Sequence, residues 1–473
     1  MHKYEVKKKP LSSISLLIVI LLLLSEAPFL SQNATASPSD EGAGVADSYA
    51  EEWSFSDMIP ADAPRVGPGG NIYFYLSDGT FCSLSPEGRI QWTYDVNGTP
   101  YGYAFSSDGD IYVFSDALYD ISPNGSLKWS IAIENPEKKA PEMLVSPSGT
   151  LYLVLYNVYA ISSGGRLEWT YSASEGGPFY YGTLTSNNSL VAGSDTNDSV
   201  VAMDSGGNFL WDQKINRFAA GIFFSSMGAV LVTDDGGRTY AFSPAGIPLW
   251  NRSFEDFQIS PGGQIYVFEN GLPPRYRVLS PLNGEEMWNF SADYVVFSGN
   301  STVLAYADDG LTLYSLDAGG RIQWEYHKSV DSLWFASSVV NSSGVIFFAV
   351  CQTNSPYYFI YSIIPGEMDA KLIATPSIRS PAVADPLIGT DAQGDFYLWN
   401  GGISAYGPDS DSDGIADSKD LLPNLDNALF YFILLILLVA LLIAVRATQI
   451  RRKGRLKTRG TEGTGNEEHD HDT

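Results

Sequence analysis

Seven tryptophans, Trp92, Trp129, Trp169, Trp211, Trp250, Trp288 and Trp324, each follow a glycine by four residues: Gly88, Gly125, Gly165, Gly207, Gly246, Gly284 and Gly320. Counting from Trp53, the intervals between tryptophans are 39, 37, 40, 42, 39, 38 and 36 residues. A unit of about 40 residues repeated this often points to stacked modules, each unable to bury its own faces alone. Ser122-Pro123-Asn124-Gly125-Ser126-Leu127-Lys128-Trp129 shows the shared phrase. Proline pre-sets φ for a turn, glycine accepts φ > 0, and a β-prone run with the tryptophan follows.

The unit around that phrase predicts four strands. They are Gly102 to Phe105, Asp110 to Phe114, Ala117 to Ile121 and Leu127 to Ile131, with Asp108-Gly109 as a further turn. Four short strands per module of this length is the pattern of a propeller blade, and the tryptophans are predicted to fill the gaps between blades.

Tyr119-Asp120-Ile121-Ser122-Pro123-Asn124-Gly125-Ser126-Leu127-Lys128-Trp129 and Tyr314-Ser315-Leu316-Asp317-Ala318-Gly319-Gly320-Arg321-Ile322-Gln323-Trp324 resemble the PQQ-type propeller repeat. That repeat occurs in quinoprotein dehydrogenases and in the outer-membrane assembly lipoprotein family. The resemblance spans roughly 51–407 and implies an all-β, PQQ-like β-propeller. It implies no single activity, because such propellers serve enzymes, scaffolds and binding modules. Blade number is predicted as eight, with nine as the alternative. The unit after Trp324 keeps Gly366 but has Ala370 in the tryptophan position, and the strands after it, Ala382 to Leu387, Asp395 to Trp399 and Gly402 to Tyr406, have no tryptophan strand. The fragment Glu51 to Phe55 supplies one and closes the ring.

Both ends carry membrane signals. Lys7-Lys8-Lys9 precedes an apolar run from Leu11 to Leu24, and Ala34-Thr35-Ala36 offers a cleavage site, so 1–36 reads as a signal peptide, with an uncleaved anchor as the alternative. A flexible leader (37–50) leads into the propeller (51–407). A linker (408–427) joins it to an apolar stretch (428–446) with the length of a transmembrane helix. The tail (447–473) begins basic, which places it in the cytoplasm and the propeller outside. Its acidic end, Glu467 to Asp472, reads as a disordered tail.

From Ser37 to Val445 there are 17 basic and 47 acidic residues, a net charge of −30. An exterior this acidic excludes nucleic acid as a partner and favours cations and basic surfaces. The two cysteines, Cys82 and Cys351, are far apart in sequence and read as either a bridge or two buried free thiols. Nine Asn-x-Ser/Thr sequons begin at Asn33, Asn97, Asn124, Asn187, Asn197, Asn251, Asn289, Asn300 and Asn341, mostly at expected turns, and mark a candidate glycoprotein.

The most specific local motif is Asp409-Ser410-Asp411-Ser412-Asp413-Gly414-Ile415-Ala416-Asp417-Ser418-Lys419-Asp420. Asp409, Asp411, Asp413, Asp417 and Asp420 offer side-chain oxygens at loop positions 1, 3, 5, 9 and 12, Ile415 offers its carbonyl at 7, and Gly414 allows the sharp turn at 6. With Leu421-Leu422-Pro423 it resembles a single thrombospondin type 3 or dockerin-like calcium repeat, which implies one structural Ca²⁺. The last position departs from an EF-hand in carrying aspartate for glutamate.

Catalytic constellations are sparse. His327 is the one histidine between the signal and the membrane stretch, the adjacent cysteine pair of many quinoprotein dehydrogenases is absent, and Gly67-Pro68-Gly69-Gly70 reads as a blade turn. The carboxylate pairs Asp234-Asp235 and Asp308-Asp309 would serve glycosidic chemistry only if the fold converged them. The chain is therefore read as a non-enzymatic, monomeric, single-pass binding or scaffold module for an extracellular protein or glycan, without PQQ. An extracellular dehydrogenase or carboxylate-based hydrolase on a quinoprotein-like propeller is the alternative.

Overall fold

The computed structural model describes residues 48–461, apart from 136–137, 173–177, 195–197, 255, 298–302, 308–311, 328–332, 342–344, 353–357, 364–370, 375–385, 392–393, 400–401, 412–414 and 421–426. Among the described residues there are nine four-stranded antiparallel sheets. In chain order, blades 1 to 8 span 65–95, 102–131, 142–171, 179–214, 219–253, 256–291, 294–327 and 333–374. Blade 9 combines 387–409 with the N-terminal strand Ser48–Phe55.

Blade 2 forms as its sequence predicts, from strands Gly102–Phe105, Ile111–Phe114, Leu118–Ile121 and Leu127–Ile131. The two middle strands are buried on both faces, which is why they read as nearly unbroken apolar runs. The outermost strand alternates exposed and half-buried positions. Contacts between first strands of neighbouring blades put those strands innermost, as with Gly102–Phe105 against Glu142–Val145 and Arg65–Val66 against Leu387–Thr390.

Nine blades, the alternative count, replace the expected eight. The unit without an outer-strand tryptophan is blade 8, and it stays in the ring because its apolar face is continuous with blade 9. Phe347, Ala349, Tyr358 and Ile360 pack with Tyr49, Leu387, Phe396, Leu398 and Tyr406. On the other side Phe55, Tyr397, Ile403 and Ala405 of blade 9 pack with Ile72, Phe74, Cys82 and Leu84 of blade 1. The ring closes because Ser48–Phe55 pairs with Ile403–Asp409, bringing Trp53 opposite Ala405.

Six of the tryptophans link their blade to the next by a hydrogen bond. The indole Nε1 of Trp53, Trp92, Trp129, Trp169, Trp211 and Trp250 donates to the carbonyl of Pro86, Pro123, Ser163, Ser205, Pro244 and Pro281 at 2.7 to 3.0 Å. Trp288 breaks the series: its buried Nε1 has no partner, and Gln264 Nε2 takes the Ala318 carbonyl instead, at 2.9 Å. The glycine of each phrase lies flat under the preceding indole. A Cβ on Gly246 (φ +77°) would stand 2.5 Å from Trp211 Cδ2, whereas one on Gly228 (φ +96°) in the same blade meets nothing within 4 Å. Both Gly→Ala substitutions incur left-handed strain, but only Gly246→Ala also pushes an indole out of place. Gly246→Ala is expected to cost about 2 kcal/mol more than Gly228→Ala in denaturant unfolding; equal costs would remove the latch from this account.

One helix among the described residues, Asn427–Thr461, includes a stretch, Phe430–Ile450, long and apolar enough to cross a membrane. Its large apolar side chains from Tyr431 to Ile450 are exposed, apart from the half-buried Leu438.

Candidate functional site

The calcium-type motif begins where the propeller ends. Strand Ile403–Asp409 runs directly into it, so Asp409 is fixed by pairing with Ser48 and is 2% exposed. The chain then folds back on itself: Asp417 N donates to the Pro408 carbonyl at 2.7 Å, while Ser410 N and Oγ donate to the Asp417 carboxylate at 2.8 and 2.6 Å. Ala416 is buried, and its carbonyl accepts from Lys419 N at 2.8 Å and Asp420 N at 3.1 Å. Ser418 Oγ reaches across to donate to Glu52 Oε1 on the N-terminal strand. The motif is thus bonded to both strands that close the ring.

The structure brings Asp409, Asp411, Ile415, Asp417 and Asp420 into one short loop, while Asp413 lies outside the described residues. The donor set fits a hard cation in kind, since every side-chain donor is a carboxylate oxygen, and Asp411 Oδ2 and Asp420 Oδ2 are buried. Both Asp417 oxygens are engaged by Ser410, which makes that residue a brace of the loop. Among the described residues, no three His, Cys, Asp or Glu side chains are gathered closely enough to hold a metal.

Beside the loop lies an acidic group that sequence reasoning missed. Asp391 Oδ1 accepts from Gly394 N and Asp395 N, both at 3.0 Å, and its Oδ2 accepts from the Tyr397 hydroxyl at 2.9 Å. Burial, then the charges of Asp391 and Glu52, push the Asp395 carboxyl up to about 7. Gly407 leaves room for these carboxylates, since a Cβ there would stand 3.0 Å from Asp395 Oδ1 and clash with Glu52. Glu52 and Asp395 are more than 340 positions apart, and only ring closure makes them neighbours. Asp391 and Asp395 occupy the same turn positions as Ser106 and Asp110, so the repeat itself was the available signal.

A second buried charge lies between blades 2 and 3. Asp120 is 0% exposed and neither of its oxygens has a hydrogen-bond partner; the hydroxyl of Tyr112, directly opposite in register, is likewise buried and unpaired. Burial, then the charge of Asp110, push the Asp120 carboxyl up to about 6, against the pull of Lys128 and the nearby Trp129 indole. Lys128 Nζ is held by Asp110 at 2.5 Å, and the Trp129 N–H is committed to Ser163.

The other candidates have structural roles or lie outside the described side chains. Asp234 Oδ1 accepts from Gly236 N and Arg238 N at 3.0 and 2.9 Å, bracing a turn, and Asp235 pairs with Arg217 at 3.3 Å. Asp308 and Asp309 lie outside the described residues, as do the side chains of His327 and Cys351. Cys82 is a free, buried thiol beside Met58, and burial pushes it up to about 12, so it is unreactive at neutral pH. Two of the sequons are exceptions to the mostly turn placement expected of them. Asn251 and Asn289 lie on outer strands, and Asn341, just past a strand, is 8% exposed.

A family model for the outer membrane protein assembly factor BamB, built on the PQQ-type repeat, matches residues 196–353. Over that stretch this chain is similar to BamB. Among solved structures, BamB from Moraxella catarrhalis aligns at 11% identity and a TM-score of 0.42, covering 63% of this chain and 96% of that one. Virginiamycin B lyase from Staphylococcus aureus aligns at 16% identity and a TM-score of 0.39, covering 54% and 94%. A eukaryotic initiation factor aligns at 11% identity and a TM-score of 0.49, covering 67% and 90%. A search of curated proteins finds no match.

Proposed function

We propose that this chain is a membrane-anchored propeller that holds a binding surface outside the cell, with residues 446–473 in the cytoplasm. It acts as a scaffold or receptor for a protein or glycan, without enzymatic turnover and without a quinone. The likeness of residues 196–353 to BamB supports a role in protein assembly or binding. The observation that carries the reading is the construction of blade 9. Its strand Ile403–Asp409 both closes the ring and leads, through a loop bonded to Glu52, toward the apolar helix. A closed ring fixed through one blade resists deformation and presents its surfaces at a set distance from its anchor.

The basic residues after Val445 support the cytoplasmic assignment of the tail, and the acidic ectodomain favours partners with basic or uncharged surfaces. Calcium in the 409–420 loop belongs to the same proposal as a structural ion, with Asp409, Asp411, Asp413, Asp417, Asp420 and the Ile415 carbonyl as its donors. Protease added to intact cells is expected to remove the propeller and spare a tag at Thr473. Crosslinking of those cells is expected to capture a defined extracellular partner through the ring. Digestion of the tag in sealed cells would overturn the orientation, and turnover of an alcohol, aldose or glycoside by purified protein would overturn the non-enzymatic role.

A further inference from the structure

The outer rim of the ring is not uniform. The residue just before the tryptophan is Gln91, Lys128, Glu168 and Gln323 in blades 1, 2, 3 and 7, but Leu210, Leu249 and Met287 in blades 4, 5 and 6. These three are 45%, 37% and 49% exposed, and Phe209, Ile247 and Leu282 beside them are 55%, 62% and 46% exposed. The latches join them into one band: Trp211 lies on Gly246, next to Ile247, and Trp250 donates to the Pro281 carbonyl at 2.8 Å, next to Leu282. An apolar area on the order of several hundred Å² on the surface of an acidic protein needs a cover.

Two of the same strands carry sequons. Asn251-Arg252-Ser253 lies in Pro248–Ser253 and Asn289-Phe290-Ser291 in Glu286–Ser291, each asparagine immediately after its tryptophan and each exposed. Leu249 and Asn251 are both exposed on either side of the half-buried Trp250, and Met287 and Asn289 on either side of the half-buried Trp288. Asn251 Oδ1 accepts from Arg238 Nη1 at 2.8 Å, which leaves its Nδ2 outward; Asn289 Nδ2 uses one of its two hydrogens on Glu286, at 2.6 Å. Asn341 is the contrary case: it is buried and its Oδ1 accepts from Val345 N at 2.9 Å, so a glycan there would prevent blade 8 from packing.

We infer that Asn251 and Asn289 are N-glycosylated and that their two glycans cover the apolar rim of blades 4 to 6. The inference rests on the extracellular placement proposed above. The donor is a lipid-linked oligosaccharide. The Asn Nδ2–C1 bond forms as the bond from C1 to the polyprenyl phosphate oxygen breaks, and one amide proton leaves with the phosphate, with no redox change. The glycans also shield the unpaired outer edges of these two blades from edge-to-edge association. Partners are thereby directed to the faces of the ring and away from this rim.

The test is glycopeptide mass mapping of the full chain purified from its own membranes, beside Ser253→Ala and Ser291→Ala, which remove the sequons and keep both asparagines. Glycan mass is expected on Asn251 and Asn289, each variant is expected to lose one of the two, and the double variant is expected to self-associate in light scattering. Bare Asn251 and Asn289 would overturn the inference. If Asn97 or Asn187 were then glycosylated, the extracellular placement would still stand, whereas digestion of the Thr473 tag would bring down the placement itself. Two occupied sites with a monodisperse double variant would overturn the shielding role.

Discussion

Asp120→Asn is expected to stabilise the propeller by about 3 kcal/mol at pH 7.5 and by only a small fraction of that near pH 4. Folding buries this carboxyl completely, with neither oxygen paired, and raises its pKa from 3.8 to about 6. A raised carboxyl pKa means that the native state disfavours the charged form. The penalty fades as pH falls through 3.8, where the unfolded state becomes protonated as well, grows as pH rises, and is complete well above 6. A carboxyl raised this far carries a full penalty of about 3 kcal/mol. Asparagine keeps the shape and removes the charge, while Lys128 keeps its partner in Asp110. The repeat supplies a second test residue, since the equivalent positions in blades 3, 4 and 5 are Ala160, Ala202 and Ala241. Asp120→Ala is expected to gain less, because it leaves a small void. Urea unfolding at the two pH values measures both; equal gains at pH 4 and 7.5 would show that ionisation of Asp120 is not the cause.

The features legible in the sequence were those written into each repeat. The Gly-x-x-x-Trp spacing located the blades, and turn chemistry with β-prone runs placed the strands of blade 2 to within a residue at each boundary. Local composition misled at blade 8, where Ala370 stands in the tryptophan position and eight blades were expected. Packing decided otherwise, because Phe347 and Ile360 bury against Phe396 and Leu398 without any indole latch. The run of carboxylates at 409–420 was legible from its spacing, yet the loop's bond to Glu52 was not, since that contact spans 366 positions. Asp120 was visible only as one charged residue in a repeated phrase. Its meaning needed the register that sets Tyr112 opposite it and the neighbouring blade that removes water.

Calcium is expected to bind the 409–420 loop at about one ion per chain, with an affinity in the 10⁻⁴ to 10⁻³ M range of extracellular oxygen-ligated sites. Binding should also stabilise the ring, because of where the loop sits. Asp409 ends the strand that pairs with Ser48–Phe55, and Ser418 holds Glu52 on that same N-terminal strand. An ion that orders the loop therefore holds together the two strands whose separation opens the propeller. A ligand that binds only the folded state at about 30 times its Kd contributes about 2 kcal/mol, which should appear as a rise in Tm with calcium but not with magnesium, whose tighter octahedral demand suits this loop poorly. Replacing Asp411 and Asp413 by alanine should abolish both the binding seen by titration calorimetry and the rise in Tm. Ser418→Ala should separate them, keeping the binding while losing most of the rise, because it cuts the loop from the N-terminal strand and leaves the carboxylates in place. Equal calcium binding by the wild type and the double alanine variant would remove the ion from this loop, and an unchanged rise in Ser418→Ala would show that the loop does not act through Glu52.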